Sequence, residues 1–174
     1  MKAAGGSAQI NAAGDAQGTP DVAIIVFGEH PYAEFQGDAE NLLFKNGEKE
    51  LALLKAMKAR GIPTVAVFLS GRPLFMGPQI NAADAFVASW LPGTEGAGVA
   101  DVLFGARPAT GKLSFSWPAT CEGTPLNSAQ GALFPLGYGR ALSETAPMAK
   151  LDETCAFLGG GAAAEWYGNG RLAN

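Results

Sequence analysis

Apolar residues along this chain fall either into short continuous runs or into stripes with helical spacing. Three continuous runs predict buried β-strands, and they lie at residues 22–27, 64–69 and 85–91. Residues 48–60 carry apolar side chains three positions apart, which predicts an amphipathic helix. Gly61 is placed to end that helix, because glycine readily adopts the left-handed conformation found at helix C-termini.

Weaker patterns predict the elements that follow. Pro73 suits the first turn of a second helix, which runs to Ala82 and is bent or interrupted at Gly77-Pro78. Thr94 is placed to cap a third helix. Apolar and polar residues then alternate over residues 112–117, which predicts a half-exposed or edge strand.

This order of strands and helices predicts an α/β fold. We expect a three-layer sandwich of the flavodoxin-like kind, with a mainly parallel sheet, helices on both of its faces and one antiparallel edge strand. Right-handed crossovers bring the carboxyl ends of parallel strands to one edge, where ligands usually bind. The loops after the three strands, at residues 28–38, 70–73 and 90–95, should therefore share that edge.

The loop at residues 28–38 carries the densest polar chemistry of the chain. It holds the only histidine, His30, and several carboxylates. Glu34 is our candidate general acid/base, because Tyr32 and Phe35 beside it can partly desolvate a carboxyl group and favour its protonated form. The ordinary alternative is a solvated glutamate, which is the commoner fate of this residue type in a polar loop.

Other polar residues near this edge allow both a functional and a structural interpretation. Glu29 is the rival carboxylate, constrained where the chain leaves the first strand. Asp38 is expected to close a turn. Arg72 could bind an anion or pair with one of these two carboxylates, and an arginine that ties two loops together is the slightly favoured interpretation. No metal site is predicted at His30, since no second histidine and no pair of cysteines lies nearby in the sequence.

Composition narrows the function further. The formal net charge is -4 and no basic block is present, so nothing indicates a nucleic-acid partner. No apolar stretch is long enough to span a membrane, and no dinucleotide or phosphate-binding fingerprint predicts a cofactor. Cys121 and Cys155 could form a disulfide, but their spacing leaves the pairing open.

A set of ordered motifs resembles a known family. The motifs are Gly28-Glu29-His30-Pro31-Tyr32-Ala33-Glu34 with Gly37-Asp38, Ser70-Gly71-Arg72-Pro73, Trp90-Leu91-Pro92-Gly93-Thr94-Glu95-Gly96, Thr110-Gly111-Lys112-Leu113 and Pro135-Leu136-Gly137-Tyr138-Gly139. In this order, over roughly residues 20–140, they resemble the second domain of family 3 glycoside hydrolases. Within that family they are most similar to the exo-acting 1,3/1,4-β-glucan glucohydrolases and the β-glucosidases.

The resemblance implies a retaining glycosidase whose active centre is shared between two domains. A (β/α)8-type barrel carries an aspartate nucleophile, and the α/β domain lends the general acid/base. That residue falls on Glu34 by match to the pattern Tyr-x-Glu-x-x-Gly-Asp. Supporting roles then fall on Glu29, His30, Tyr32, Asp38 and Arg72. The resemblance implies no nucleophile in this chain, no metal and no cofactor, and it implies a β-glucan or β-glucoside as substrate.

The resemblance also sets expectations for the domain limits. We expect a linker at residues 1–19, the α/β domain at 20–147, and a tail or linker toward a further domain at 148–174. The barrel is expected to lie elsewhere in the same protein, so this chain alone should be inactive. Polysaccharide digestion fits a periplasmic or secreted protein. Two alternatives stay open, namely a non-catalytic glucan-binding module and a flavodoxin-like domain that binds a phosphorylated ligand or nucleotide at residues 70–72.

Overall fold

The computed structural model describes residues 5–11, 14, 18–35, 37–45, 47–122 and 127–157, and these residues form an α/β sandwich. At its centre is a parallel sheet whose strands are β1 (Ala23–Gly28), β2 (Thr64–Leu69) and β3 (Ala85–Trp90), in the order β1-β2-β3. Ala23 pairs with Thr64, and Val65 pairs with Ala85. The predicted strands are confirmed to within one residue at each end.

The helices of the described residues are α1 (Glu48–Ala59), α2 (Gly77–Ala82) and α3 (Gly96–Leu103). The helix α1 forms as predicted. It buries Leu54 and Met57, and Gly61 follows it with a φ of 71°. The helices α1 and α2 also contact each other. None of these helices is long and apolar enough to cross a lipid bilayer.

Two predicted helix starts are wrong. The helix α2 begins at Gly77 rather than at Pro73, and Pro78 lies in its first turn, where the absent N–H has no partner to lose. Residues 73–76 lie outside any helix, and Phe75 among them donates its N–H to the carbonyl of Leu42 at 2.7 Å. The helix α3 begins after Glu95, and the Thr94 hydroxyl donates to the side chain of Glu95 at 3.1 Å instead of serving as the cap.

The antiparallel component is a separate small sheet rather than an edge strand of the parallel sheet. Its strands are β4 (Trp117–Pro118) and β5 (Ala132–Phe134), which pair antiparallel. The strand predicted at residues 112–117 is therefore realised only at its last residue. The proline that follows has no N–H to extend the ladder. Leu113 is instead tied by two backbone hydrogen bonds of 2.8 Å to residues 137 and 138.

Aromatic rings join the two sheets into one core. Phe68, on the central strand, is fully buried. Its ring centroid lies 5.2 to 6.5 Å from four others, which belong to Phe27, Phe44, Phe86 and Trp117. Aromatic pairs at such distances stabilise a core beyond the area that they bury. The parallel sheet is thus well supported beneath the loops that follow its strands.

A C-terminal arm, residues 151–155, is bound back onto the fold. Cys155 forms a disulfide with Cys121, with the two Cα atoms 5.6 Å apart. Asn81 on α2 accepts the N–H of Leu151 at 2.9 Å and donates to its carbonyl at 2.9 Å. The pairing that the sequence left open is therefore made. The tail is predicted at residues 148–174, and its part from residue 158 onward lies outside the described residues.

Candidate active site

The carboxyl edge of the sheet places Glu29 beside residues 70–72. Glu29 directly follows β1, and its N–H donates to the carbonyl of Leu69 at 3.1 Å. The close approach of the two strands depends on Gly28, because a Cβ atom there would lie 2.1 Å from the same carbonyl oxygen. The parallel register therefore brings the start of one loop against the start of the next, as the topology predicts.

Glu29 and Arg72 form an ion pair that is partly shielded from water. Arg72 donates to Oε1 of Glu29 from Nε at 3.0 Å and from Nη2 at 2.7 Å. The hydroxyl of Ser70, a buried residue, donates to the other carboxylate oxygen, Oε2. The Glu29 side chain is 13% exposed and that of Arg72 is 28% exposed. Charge-assisted hydrogen bonds at such low exposure are stronger than surface ones, so both oxygens of Glu29 are firmly held.

The same guanidinium also holds the next part of the loop. Arg72 Nη1 donates to the carbonyl of Gly37 at 2.6 Å. Its Cζ atom lies 4.7 Å from the centroid of the Tyr32 ring, which is a cation–π distance. Between these contacts the backbone closes a turn, because the N–H of Gly37 donates to the carbonyl of Ala33 at 3.2 Å. One side chain therefore contacts the loop on both sides of the turn.

Glu34 lies within this turn, and its side chain is exposed. Phe35 follows with a φ of 67° and a side chain that is 79% exposed. An aromatic residue rarely adopts a left-handed conformation, so the surroundings rather than local preference set the shape of the turn. The N–H of Asp38 closes the turn on the carbonyl of Phe35 at 3.2 Å, and the side chains of Asp38 and His30 are exposed.

The site thus separates two carboxyl groups by environment. Both oxygens of Glu29 accept hydrogen bonds from the chain itself, so this residue stabilises the loop. Glu34, by contrast, is exposed at the edge of the sheet. The sequence interpretation named Ser70 in the motif at residues 70–73 and in the alternative phosphate site, but it assigned Ser70 no role beside Glu29, although its place directly after a buried strand was a usable signal.

The alternative of a phosphate site at residues 70–72 finds little support in this geometry. The guanidinium of Arg72 is already engaged by Glu29 and Gly37. The helix that would have offered free N–H groups starts only at Gly77. No group of three or more acidic, histidine or cysteine side chains in the described residues could hold a metal ion.

A second concave region lies away from this loop. It is a groove of about 1440 Å³ between β3, α3 and the chain at residues 138–153, and its lining includes no residue of the loop at 28–38. Trp90 lies on this groove, with its ring 5.9 Å from Phe115 and 6.0 Å from Trp117. Trp90 is therefore mainly a packing residue.

Comparison with solved structures finds the same fold in parts of an exo-glucanase and of a beta-glucosidase. It is similar to the exo-1,3/1,4-beta-glucanase from a Pseudoalteromonas species, with 47% identity, a TM-score of 0.81, and coverage of 89% of this chain and 21% of that chain. It is also similar to the beta-glucosidase from Listeria innocua in complex with gluconolactone. There the identity is 28% and the TM-score 0.59, over 71% of this chain and 21% of that chain.

Sequence comparison gives the same family. The chain is 32% identical to the periplasmic beta-glucosidase of Salmonella typhimurium, over 76% of this chain and 20% of that protein. It therefore spans only about a fifth of the length of these relatives. Residues 1–141 match the Glycosyl hydrolase family 3 C-terminal domain. The resemblance carried by the ordered motifs is thus confirmed, and the chain belongs to glycosyl hydrolase family 3, in which it forms the C-terminal domain.

Proposed function

We propose that this chain lends the general acid/base to the active centre of a retaining exo-β-glucosidase or glucan glucohydrolase, and that Glu34 is the residue concerned. The observation that carries the proposal is an exposed carboxyl group in a turn whose base is held by the Glu29–Arg72 ion pair. A group that transfers protons must be both accessible and held in place. The exposed side chain of Glu34 meets the first condition, and the turn that carries it meets the second.

A retaining mechanism needs two carboxyl groups about 5–5.5 Å apart across the glycosidic bond. In the first step a carboxylate nucleophile attacks the anomeric carbon while Glu34 donates its proton to the leaving oxygen. The carbon–oxygen bond breaks, and the leaving group departs as a neutral alcohol. In the second step Glu34, now a carboxylate, takes a proton from water as the water oxygen displaces the enzyme carboxylate. Glu34 is then protonated again for the next cycle.

The partner that we propose is a (β/α)8-type barrel of the same protein, and the substrate is a β-glucan or β-glucoside. The substrate class is supported by the names of the relatives, which are beta-glucosidases and an exo-1,3/1,4-beta-glucanase. The barrel brings the nucleophile and most of the sugar subsites. This chain alone lacks the covalent step, so we expect it to be inactive by itself.

The neighbours of Glu34 fit this arrangement. Tyr32 is 43% exposed and Phe35 is 79% exposed, so both rings offer apolar surface beside the carboxyl group. A barrel that closes over them would exclude water from the site, which strengthens electrostatic effects on the reacting atoms. His30 and Asp38 lie on the exposed parts of the same loop, where they can contact the partner domain or the sugar.

The proposal is tested by Glu34→Ala in the enzyme that contains this chain. With a β-1,3-linked glucose disaccharide, whose leaving group needs protonation, kcat/KM should fall by about 10²–10⁴. With 2,4-dinitrophenyl β-glucoside, whose leaving group departs without a proton, kcat/KM should change less than about tenfold. Azide should raise kcat on the second substrate and yield β-glucosyl azide, because a small anion can attack without a general base.

The matched control is Glu40→Ala, which removes an exposed glutamate outside the turn and should leave both substrates unaffected. Near-normal hydrolysis of the disaccharide by Glu34→Ala, or no azide product, overturns the assignment. Glucan binding by this chain alone that survives Glu34→Ala would point instead to a non-catalytic binding module.

A further inference from the structure

We propose that Arg72 is a positioning residue for proton transfer: it holds the turn from both sides and so determines where the carboxyl group of Glu34 points. This inference rests on the proposed function of Glu34. We assign Arg72 itself no part in the reaction, because three of its five N–H groups, one on each nitrogen, bind within the chain. Nε and Nη2 bind Glu29, and Nη1 binds the carbonyl of Gly37.

Three residues, Tyr32, Gly37 and Arg72, form one packed unit that we call the clamp. The guanidinium lies over the Tyr32 ring, with its Cζ atom 4.7 Å from the ring centroid, and it binds Gly37 at 2.6 Å. Tyr32 and Gly37 also contact each other, because a Cβ atom on Gly37 would lie 2.6 Å from the tyrosine ring. Glu34 lies between these two residues in the chain, so the clamp fixes the turn on both sides of it.

The clamp is in turn anchored to the sheet. Glu29, the carboxylate of the ion pair, directly follows β1. Ser70 directly follows β2, and its hydroxyl donates to that carboxylate. Ser70 also accepts the backbone N–H of Arg72 at 3.1 Å. Because β1 and β2 are paired along their whole length, any shift of Arg72 would require Glu29 or Ser70 to give up a hydrogen bond.

Only arginine can make this set of contacts. Its planar guanidinium offers several N–H groups in fixed directions and a flat face for the ring, whereas lysine offers a single nitrogen. The turn also needs such support, because Phe35 has a φ of 67°, which is energetically unfavourable for a bulky residue. Misplacing a reacting group by about 1 Å can cost roughly 10²-fold in rate.

The kinetic test is Arg72→Lys in the enzyme that contains this chain, with the same two substrates. We expect kcat/KM to fall about tenfold or more on the disaccharide and to change less than about threefold on 2,4-dinitrophenyl β-glucoside, since only the first reaction needs a well-placed acid. Arg140→Lys is the matched control. Arg140 also joins a glutamate, Glu144, and a backbone carbonyl, that of Ala146, but away from this loop.

A second test needs no activity and uses this chain alone. Chymotrypsin can cut after Phe35 in the turn and after Phe104 at the end of α3, which serves as an internal reference. Arg72→Lys should raise the rate of cleavage after Phe35, relative to Phe104, by about tenfold, because cleavage requires local opening. Ser70→Ala, which removes one anchor, should act in the same direction with a smaller effect.

The outcomes separate this inference from the proposed function. Equal losses on both substrates, or no loss on the disaccharide, overturn the positioning role of Arg72 even if Glu34→Ala shows the full signature of an acid/base. An unchanged cleavage ratio overturns the clamp itself. If Glu34→Ala lacks its signature while the cleavage ratio rises as expected, the proposed function fails and the clamp remains only a structural contact.

Discussion

At the scale of single residues, the loop places two glutamates five positions apart in different environments. Glu29 has both carboxylate oxygens occupied and a side chain that is 13% exposed. Glu34 has an exposed side chain in a turn. A carboxylate that is saturated with internal donors stabilises the loop, whereas an open one can meet a substrate. The two carboxyl groups differ in environment because Glu29 directly follows the strand and is close enough to bind Arg72.

Gly28→Ala is expected to lower the free energy of unfolding by about 3 kcal/mol. Its Cβ atom would lie 2.1 Å from the carbonyl oxygen of Leu69, so β1 and β2 would have to separate. Gly111→Ala is the matched control, because its Cβ atom would meet nothing within 4 Å, and its effect should stay within about 0.5 kcal/mol. Urea unfolding measures both variants. Similar small effects would contradict the close approach of the two strands.

The sequence could identify the loop but not the contacts that divide its residues. Residue types alone point to residues 28–38, since carboxylates and aromatic rings there follow a buried strand. The ion pair joins positions 43 apart in the chain, and three partners for Arg72 were conceivable. The contact of Arg72 with the backbone of Gly37 had no sequence signal, because every residue carries a carbonyl group.

At the scale of elements, prediction succeeded where the signal is local. The strands are continuous apolar runs, and α1 has regular apolar spacing and a glycine at its end. Prediction failed where tertiary contacts determine the local structure. Residues 73–76 do not begin the helix, because Phe75 among them forms a β-bridge with Leu43. Leu113 does not extend a strand, because its backbone bonds to residues 137 and 138. Such partners lie too far along the chain for a local pattern to report.

The C-terminal arm shows how a segment without regular structure is held. Asn81 donates to the carbonyl of Leu151 at 2.9 Å and to the side chain of Glu153 at 2.8 Å. The backbone N–H of Thr154 donates to the carboxylate of Asp152 and lowers its pKa most. The hydroxyl of Thr154 donates to the same carboxylate and lowers the pKa further. Because the pKa of Asp152 is lowered in the folded chain, its hydrogen bonds to Thr154 contribute to stability at pH values above the ordinary carboxyl pKa. That contribution to stability is lost as the pH falls through the lowered pKa.

Removing the disulfide by Cys121→Ala together with Cys155→Ala is expected to lower the free energy of unfolding by about 3–4 kcal/mol. The bond closes a loop with a sequence separation of 34, and its loss frees that loop in the unfolded chain. Urea unfolding of the variant measures the loss, and the wild-type chain with reductant added should match it. A loss below about 1 kcal/mol would mean that the contacts of Asn81 hold the arm by themselves.

At the scale of the whole molecule, the loop edge has the character of a surface that another domain covers. Tyr32, Phe35 and Leu91 are 43%, 79% and 73% exposed at this edge. Tyr32 and Leu91 flank Gly71, since a Cβ atom there would lie 3.5 Å from the tyrosine hydroxyl and 3.4 Å from the leucine side chain. Exposed apolar side chains at the edge that carries the proposed acid/base fit a site that is completed by docking.

A chimera tests that picture most directly. Residues 20–157 of this chain, which include both cysteines of the disulfide, replace the matching part of the Pseudoalteromonas exo-1,3/1,4-beta-glucanase, whose fold is similar enough, at a TM-score of 0.81, for the loop edge to be presented in the same way. The chimera should hydrolyse a β-1,3-linked glucose disaccharide, whereas this chain alone should not, because the proposed function places the nucleophile on the barrel. Adding Glu34→Ala should lower kcat/KM about 10²–10⁴-fold, while Glu40→Ala should not. A folded chimera without turnover, or one indifferent to Glu34→Ala, would show that the acid/base comes from elsewhere.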